Sequence, residues 1–275
     1  MSLSILTKAR AIRIAPLAIV VILVGVGVAA SHDVGRLDPN LSWASPSSAH
    51  WLGAGEGGVD LLGVISWGAL KGCILAAIVA ISGFVIGTPL GAVAALSRGR
   101  VERGVERVCD FAQAFPSFLL ALAVLASVKS PTRVHLGIVF GLTAWAPFAR
   151  LALAETRVLR GAAFVQAAFA LGLETRAVVA KHIVPNLLST VAVQLGSTAA
   201  SVLVGEAALS FLGFGPRDGV SLGDVLGQGV AAMLRAPHVL AAGSLAIFAA
   251  SAALLLAGTA ASPPQKSLER SGNEA

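Results

Sequence analysis

Four groups of residues in this chain have side chains and spacing that bear on chemistry. Gly219-Val-Ser221-Leu-Gly223 spells the turn that exposes a nucleophilic serine in many hydrolases, and His238 downstream is a possible base for it. Five histidines, His32, His50, His135, His182 and His238, raise the question of a transition-metal site. Glu206 is a carboxyl inside an apolar stretch, where an ionisable group is expensive and often functional. The fourth group, residues 161–186 (GAAFVQAAFALGLETRAVVAKHIVPN), offers small residues, Gly172, Arg176, Lys181 and Pro185. Its chemistry would be a fitted contact with another surface.

The elements that must position these residues are membrane helices. The chain has 275 residues, 56% of them hydrophobic and 12% charged, and a mean hydropathy of +0.84. A soluble domain of this size needs more polar surface. Six apolar stretches stand out, at about 14–31, 68–96, 115–128, 135–150, 187–213 and 238–260. The third and fourth are short, so a single tilted or re-entrant element between 115 and 150 stays open. The fold class expected is all-α, a polytopic membrane protein of about six transmembrane helices. Residues 1–66 supply the first span and an outer loop, 67–260 a core of about five spans, and 261–275 a polar tail. The first span follows basic residues like a signal peptide, but it is long and lacks a clear cleavage site, so it is expected to remain.

Orientation follows from the basic residues. The N-terminus, the loops at about 97–114 and 150–186, and the tail hold fourteen of the twenty Lys and Arg. The opposite side has Arg36, Lys129, Arg133, Arg217 and Arg235, with Lys71 at a helix mouth. Both termini are therefore expected in the cytoplasm. These cations form no stripe interleaved with aromatics, and the chain has no Tyr, so nucleic acid is not an expected partner. Trp43 and Trp51 in the outer loop read as interfacial anchors. Two cysteines make no disulfide framework. Cys73 and Cys109 are expected at opposite ends of one helix. Gly83, Gly87 and Gly91 share a helix face suited to close packing, and Pro89 among them favours a kink and a place on a moving pathway.

Membrane context also weighs the chemistry. Ser221 falls in an outer loop beside Arg217, Asp218 and Asp224, with no soluble α/β domain to build the strand-to-helix turn. An intramembrane serine protease is the enzyme-class rival, resting on Ser221 and His238. The histidines lack the close spacing of a metal site, so neither a metal nor a catalytic group is assigned. Glu206 should sit near the outer end of the fifth span, where water reaches. No Gly-x-x-x-x-Gly-Lys-Ser/Thr phosphate loop occurs, so the chain has no ATPase site of its own.

Within 161–186, the Ala-rich part should be a helix and Gly172 a turn. A second short helix then runs to Pro185, with the next span starting near Asn186. The pattern Gln166-Ala167-Ala168, Gly172 and His182-Ile183-Val184-Pro185-Asn186 resembles the cytoplasmic coupling motif of ABC-importer permeases of the dipeptide/oligopeptide/nickel subfamily, with Gln166 where that family has Glu. Phe115-Pro-Ser-Phe-Leu-Leu120, Trp145 through Arg150, and Glu206-Ala-Ala-Leu-Ser-Phe-Leu-Gly-Phe-Gly215 are similar to further blocks of that subfamily in the same order. The resemblance covers about residues 50–245. Two departures stand out. Gly53-Ala-Gly-Glu-Gly-Gly-Val-Asp60 keeps the glycines and Asp60 of the segment before helix two but loses three polar groups, and the family's closing Asp-rich stretch is replaced by Leu254–Ala275.

The resemblance implies a bacterial inner-membrane permease subunit that does no covalent chemistry. Its loop 153–186 would dock on an ATPase through Gln166, Ala167, Ala168, Gly172, His182, Pro185 and Asn186. Partners implied are a second permease subunit, two cytoplasmic ATPases that carry ATP-Mg, an extracytoplasmic solute-binding protein and membrane lipid, with no cofactor in this chain. Glu206 and Pro89 are the pathway candidates. The implied cargo is di- or oligopeptide, with nickel or another small solute as the alternative. A channel or scaffold indifferent to any ATPase is the non-enzyme rival.

Overall fold

A computed structural model of the protein describes residues 37–261 together with Val21, Gly25, Val28 and Ala29. The expected first span, those four residues aside, and the tail beyond Ala261 lie outside the described residues. Among the described residues every regular element is helical, apart from one isolated bridge between Ala54 and Asp60.

Helix α1 (Leu61–Ser97) starts ahead of the apolar run because Asp60 caps it, its Oδ2 accepting the Gly63 N–H at 3.0 Å. The helix runs unbroken through Pro89, which lies on the exposed side. The chain then turns on two positive-φ residues, Arg98 (φ 54) and Gly99 (φ 65). The basic stretch expected as a loop is a second helix, α2 (Gly99–Ala114). Cys109 lies on α2 rather than at the far end of the helix that holds Cys73. The reason is a ladder of carboxylates four residues apart, which falls on one helix face. Glu102 and Glu106 pair with Arg157 at 2.5 and 3.0 Å, and Asp110 pairs with Arg150 at 2.7 Å.

Pro116 ends this run, and α3 (Ser117–Ala126) leaves at 59° to α2. Helix α4 (Arg133–Leu159) outruns the apolar stretch predicted at 135–150, since its last turns carry the arginines that hold α2. Next come α5 (Ala163–Ala170), α6 (Thr175–Val178), a π turn (Val179–Ile183) and α7 (Val184–Phe211). Helices α8 (Leu222–Ala231) and α9 (Pro237–Ala261) complete the described chain. Among the described residues, α1, α4, the run Thr175–Phe211 and α9 are long and apolar enough to cross a membrane. The bent pair α2–α3 adds a fifth crossing if it is one span.

Close helix contact holds the bundle together. The α1 glycine face lies on the α4 backbone, and a methyl at Gly83 would sit 2.7 Å from the Ala144 carbonyl oxygen. Helix α7 meets α9 the same way at Gly196 and Gly258. Between them sits a core of Val79, Leu125, Phe140, Leu203 and Ala250, drawn from five helices. A second core, around Phe148, Val165, Val178 and Ile183, lies at the arginine-rich end and carries the loop there.

Candidate functional site

The loop at the arginine-rich end is built to be held from below and displayed above. Val165 and Ala168, three residues apart on one face of α5, are buried against the core that includes Ala92, Phe148, Ala152 and Val178. Ala168 is 5% exposed, so its small side chain serves packing within this chain. The outward positions are Ala163, Phe164, Gln166, Ala167, Phe169 and Ala170. Beyond them Leu171 stands 82% exposed at the tip. Gly172 then takes φ +82, and the two hydrogen bonds of a Schellman cap close the helix: Leu173 N–H to Ala168 O at 3.1 Å and Gly172 N–H to Phe169 O at 2.9 Å. Leu173 folds back onto the core beneath. A side chain at Gly172 would meet no atom within 4 Å, so the glycine is required by its backbone angle and by nothing crowding it.

The way back differs from the separate surface helix expected up to Pro185. From Thr175 the chain is continuously helical into α7, as one run of 37 residues. Pro185 lies inside this run and has no N–H to give the carbonyl four residues earlier. The π turn just before it widens the helix, with Val184 N–H bonding to Val179 O. Asn186 Nδ2 donates to the His182 carbonyl at 2.6 Å, and the His182 ring lies 6.4 Å from that of Phe164, joining the two arms of the loop. Gln166 Nε2 donates to Gly161 O at 3.2 Å. Arg160 ties the loop's start to α1 by donating to Ala95 O at 2.8 Å. Arg176 and Lys181 are exposed.

A second feature opens between the α2–α3 break, α4 and α7, as a slot of about 390 Å³. One wall is the polar face of α7: Gln194, Ser197, Thr198 and Ser201, at helical spacing i, i+3, i+4 and i+7. Gln113 and Thr143 face them across the slot, and no charged side chain lines it. Sequence reasoning missed this face, because neutral polar residues hardly dent an apolar run. Their 3.6-residue period was the available signal. Neither pathway candidate lines the slot. Pro89 is exposed on α1, and Glu206 is buried near the other end of α7.

Glu206 is 0% exposed, so water does not reach it as the sequence reading expected. Its neighbour is Arg133 at the start of α4, 3.8 Å away, and that guanidinium also holds Asp218 at 2.8 Å and the Val220 carbonyl at 2.5 Å. The group therefore clasps the α7–α8 connection onto α4. Ser221 is the N-cap of α8: its Oγ accepts from Gly223 N–H, and Asp224 Oδ2 accepts the Ser221 N–H at 3.2 Å. Burial raises the pKa of the Asp224 carboxyl. Ser221 Oγ serves this cap and makes no hydrogen bond to His238 among the described residues. The histidines have separate tasks. His50 pairs with Asp60 at 3.1 Å and His135 with Thr132 at 2.7 Å. Among the described residues no three His, Cys, Asp or Glu side chains gather into a metal site.

Residues 87–263 match the family described as binding-protein-dependent transport system inner membrane component. The chain is 33% identical over 204 residues to the glutathione transport system permease protein GsiD of Pectobacterium atrosepticum, covering 74% of this chain and 67% of that protein. It is 31% identical over 206 residues to the oligopeptide transport system permease protein OppC of Mycobacterium tuberculosis, covering 74% and 70%. GsiD of Escherichia coli matches at 32% over 204 residues, 74% and 67%.

Proposed function

The chain belongs to the inner membrane components of binding-protein-dependent transport systems, and from that premise we propose that its 153–186 loop couples partner ATPases to solute movement. It is a multi-pass permease subunit of an ABC importer and contributes no catalytic domain. In the proposed assembly it forms half of a transmembrane pair with a second permease. Two cytoplasmic ATPases carrying ATP-Mg sit beneath the arginine-rich end, and a solute-binding protein delivers cargo on the other side. Both termini are then cytoplasmic. The cargo proposed is a di- or oligopeptide, since the relatives are named for oligopeptide and glutathione transport.

The observation that carries this reading is the loop's construction. Val165, Ala168 and Val178 fasten it to the ends of α1, α4 and α7, so a pull on the tip reaches three spans through packed side chains. The tip itself shows Ala167, Phe164, Phe169, Leu171 and the cations Arg176 and Lys181 to the outside. An ATPase that grips it more tightly in one nucleotide state biases the spans by that difference in grip. A channel or scaffold needs no such rigid seat.

Gly172→Trp tests the reading. The variant loses the left-handed cap and adds bulk at the tip while every buried contact remains. ATPase copurification and ATP-dependent uptake should fall, with membrane insertion and amount unchanged. Wild-type uptake in a variant that inserts normally would refute docking through this loop.

A further inference from the structure

We infer that the slot between the α2–α3 break, α4 and α7 is where the solute touches this subunit in transit, and that it receives amide- or hydroxyl-bearing organic solutes and does not bind divalent cations. The inference rests on the permease reading above and adds a place and a chemistry to it.

Polar side chains at membrane depth face protein or water rather than lipid. Four on one face of α7, opposite Gln113 and Thr143, mark a wetted or partnered surface. Pro116 and Pro147 both line the slot and have no N–H to give the carbonyl four residues earlier. Those carbonyls belong to Ala112 and Thr143, which line the slot as well. The two prolines therefore concentrate acceptors where the side chains are already polar.

A divalent cation sheds water only for carboxylate, imidazole or several carbonyl ligands at short range. No Asp, Glu, His or Cys lines the slot. Gln194 donates to Thr198 Oγ1 at 3.1 Å, and Thr143 Oγ1 donates to the Phe140 carbonyl at 3.2 Å. These internal bonds of Gln194, Thr198 and Thr143 can exchange for a solute's N–H or O–H. Phe115 and Phe140 supply apolar surface beside them. Such a surface passes a hydrogen-bonding organic solute without a deep binding well.

The test uses the assembled permease–ATPase complex in membrane vesicles, with Cys73→Ala and Cys109→Ala as background. Thr198→Cys and Ser201→Cys are labelled separately with a cationic and an anionic methanethiosulfonate. Both reagents should label both positions, with a cation-to-anion ratio within about threefold of that for a free thiol. An acidic cleft would favour the cation about tenfold or more. Trialanine at about 10 mM, above the millimolar affinity of a few exchangeable hydrogen bonds, should slow labelling at least about twofold. Nickel chloride at the same concentration should not slow it.

A slot sealed to both reagents, a cation preference of about tenfold or more, or no protection by trialanine would each overturn the inference, as would protection by nickel. ATPase capture by Ala167→Cys, read in the same preparation, separates the failures. Capture with an unlabelled slot leaves the permease reading standing and removes the slot. Labelling without capture leaves a solvent-reached slot and removes the ATPase coupling on which its role in transit rests.

Discussion

Alanine at Gly91, Gly87 or Gly83 should loosen the α1–α4 pair in a graded way that geometry sets in advance. Real Cβ atoms essentially never approach another heavy atom closer than 3.0 Å. A methyl at Gly83 falls about 0.3 Å inside that limit, against the Ala144 carbonyl oxygen. At Gly87 and Gly91 the intrusion exceeds about 0.5 Å, against the carbonyl oxygens of Trp145 and Ala149. All three clashes are with backbone, so no side-chain rotation relieves them and the helices must part. Overpacking of this kind costs about 1–3 kcal/mol. The two deeper positions belong at the upper end and Gly83 at or below the lower. Gly104 on α2 and Gly141 on α4 are the controls, since a methyl there meets nothing within 4 Å. The greater helix propensity of alanine should leave both neutral or slightly more stable. The assay is thermal unfolding of the detergent-solubilised protein, read as the monodisperse fraction surviving heating. For a chain of this size each kcal/mol shifts the midpoint by about 2–4 °C. Gly91→Ala and Gly87→Ala should therefore fall by about 6–12 °C, with the controls unmoved. Equal midpoints for Gly91→Ala and Gly104→Ala would refute the close α1–α4 contact.

Two further substitutions address the other end of the bundle. Arg133→Ala removes the partner of a fully buried carboxylate and should cost about 3–5 kcal/mol. Adding Glu206→Leu should recover part of that loss on the same thermal assay, the contacts to Asp218 and Val220 staying lost, while a double variant no more stable than Arg133→Ala would exclude the Arg133–Glu206 pairing. Asp60→Ala deletes the cap of α1 and should cost about 1 kcal/mol, with Asp60→Asn close to wild type. Equal loss in both would assign the effect to the His50 contact instead.

The apolar runs and basic loops were enough to indicate an all-helical membrane chain, because a spanning helix must be long and apolar wherever it sits. What one dimension hid was pairing between helices. Residues 99–114 look like a basic loop until Glu102, Glu106 and Asp110 are matched with the arginines of α4, which also explains why α4 continues to Leu159. Gly172 was readable as a turn, since few other residues adopt its backbone angle. The inward placement of Ala168 depended on its register with Val165, and the π turn on how Pro185 joins an otherwise unbroken helix. Glu206 and Pro89 stand out in one dimension because a charge and a proline interrupt apolar runs. The slot instead uses uncharged residues whose only signature is spacing along α7.

The proposed coupling requires the loop tip at the arginine-rich end to be seated in an ATPase. The most direct measurement is photo-crosslinking from single cysteines carrying a short benzophenone at Ala167 and at Ala168, in membranes that contain the whole transport system. Ala167 faces outward and should capture the ATPase. Ala168 is buried against this chain's own core, so its adduct should be intramolecular. Capture at neither position, or equal capture at both, would contradict the proposed seat.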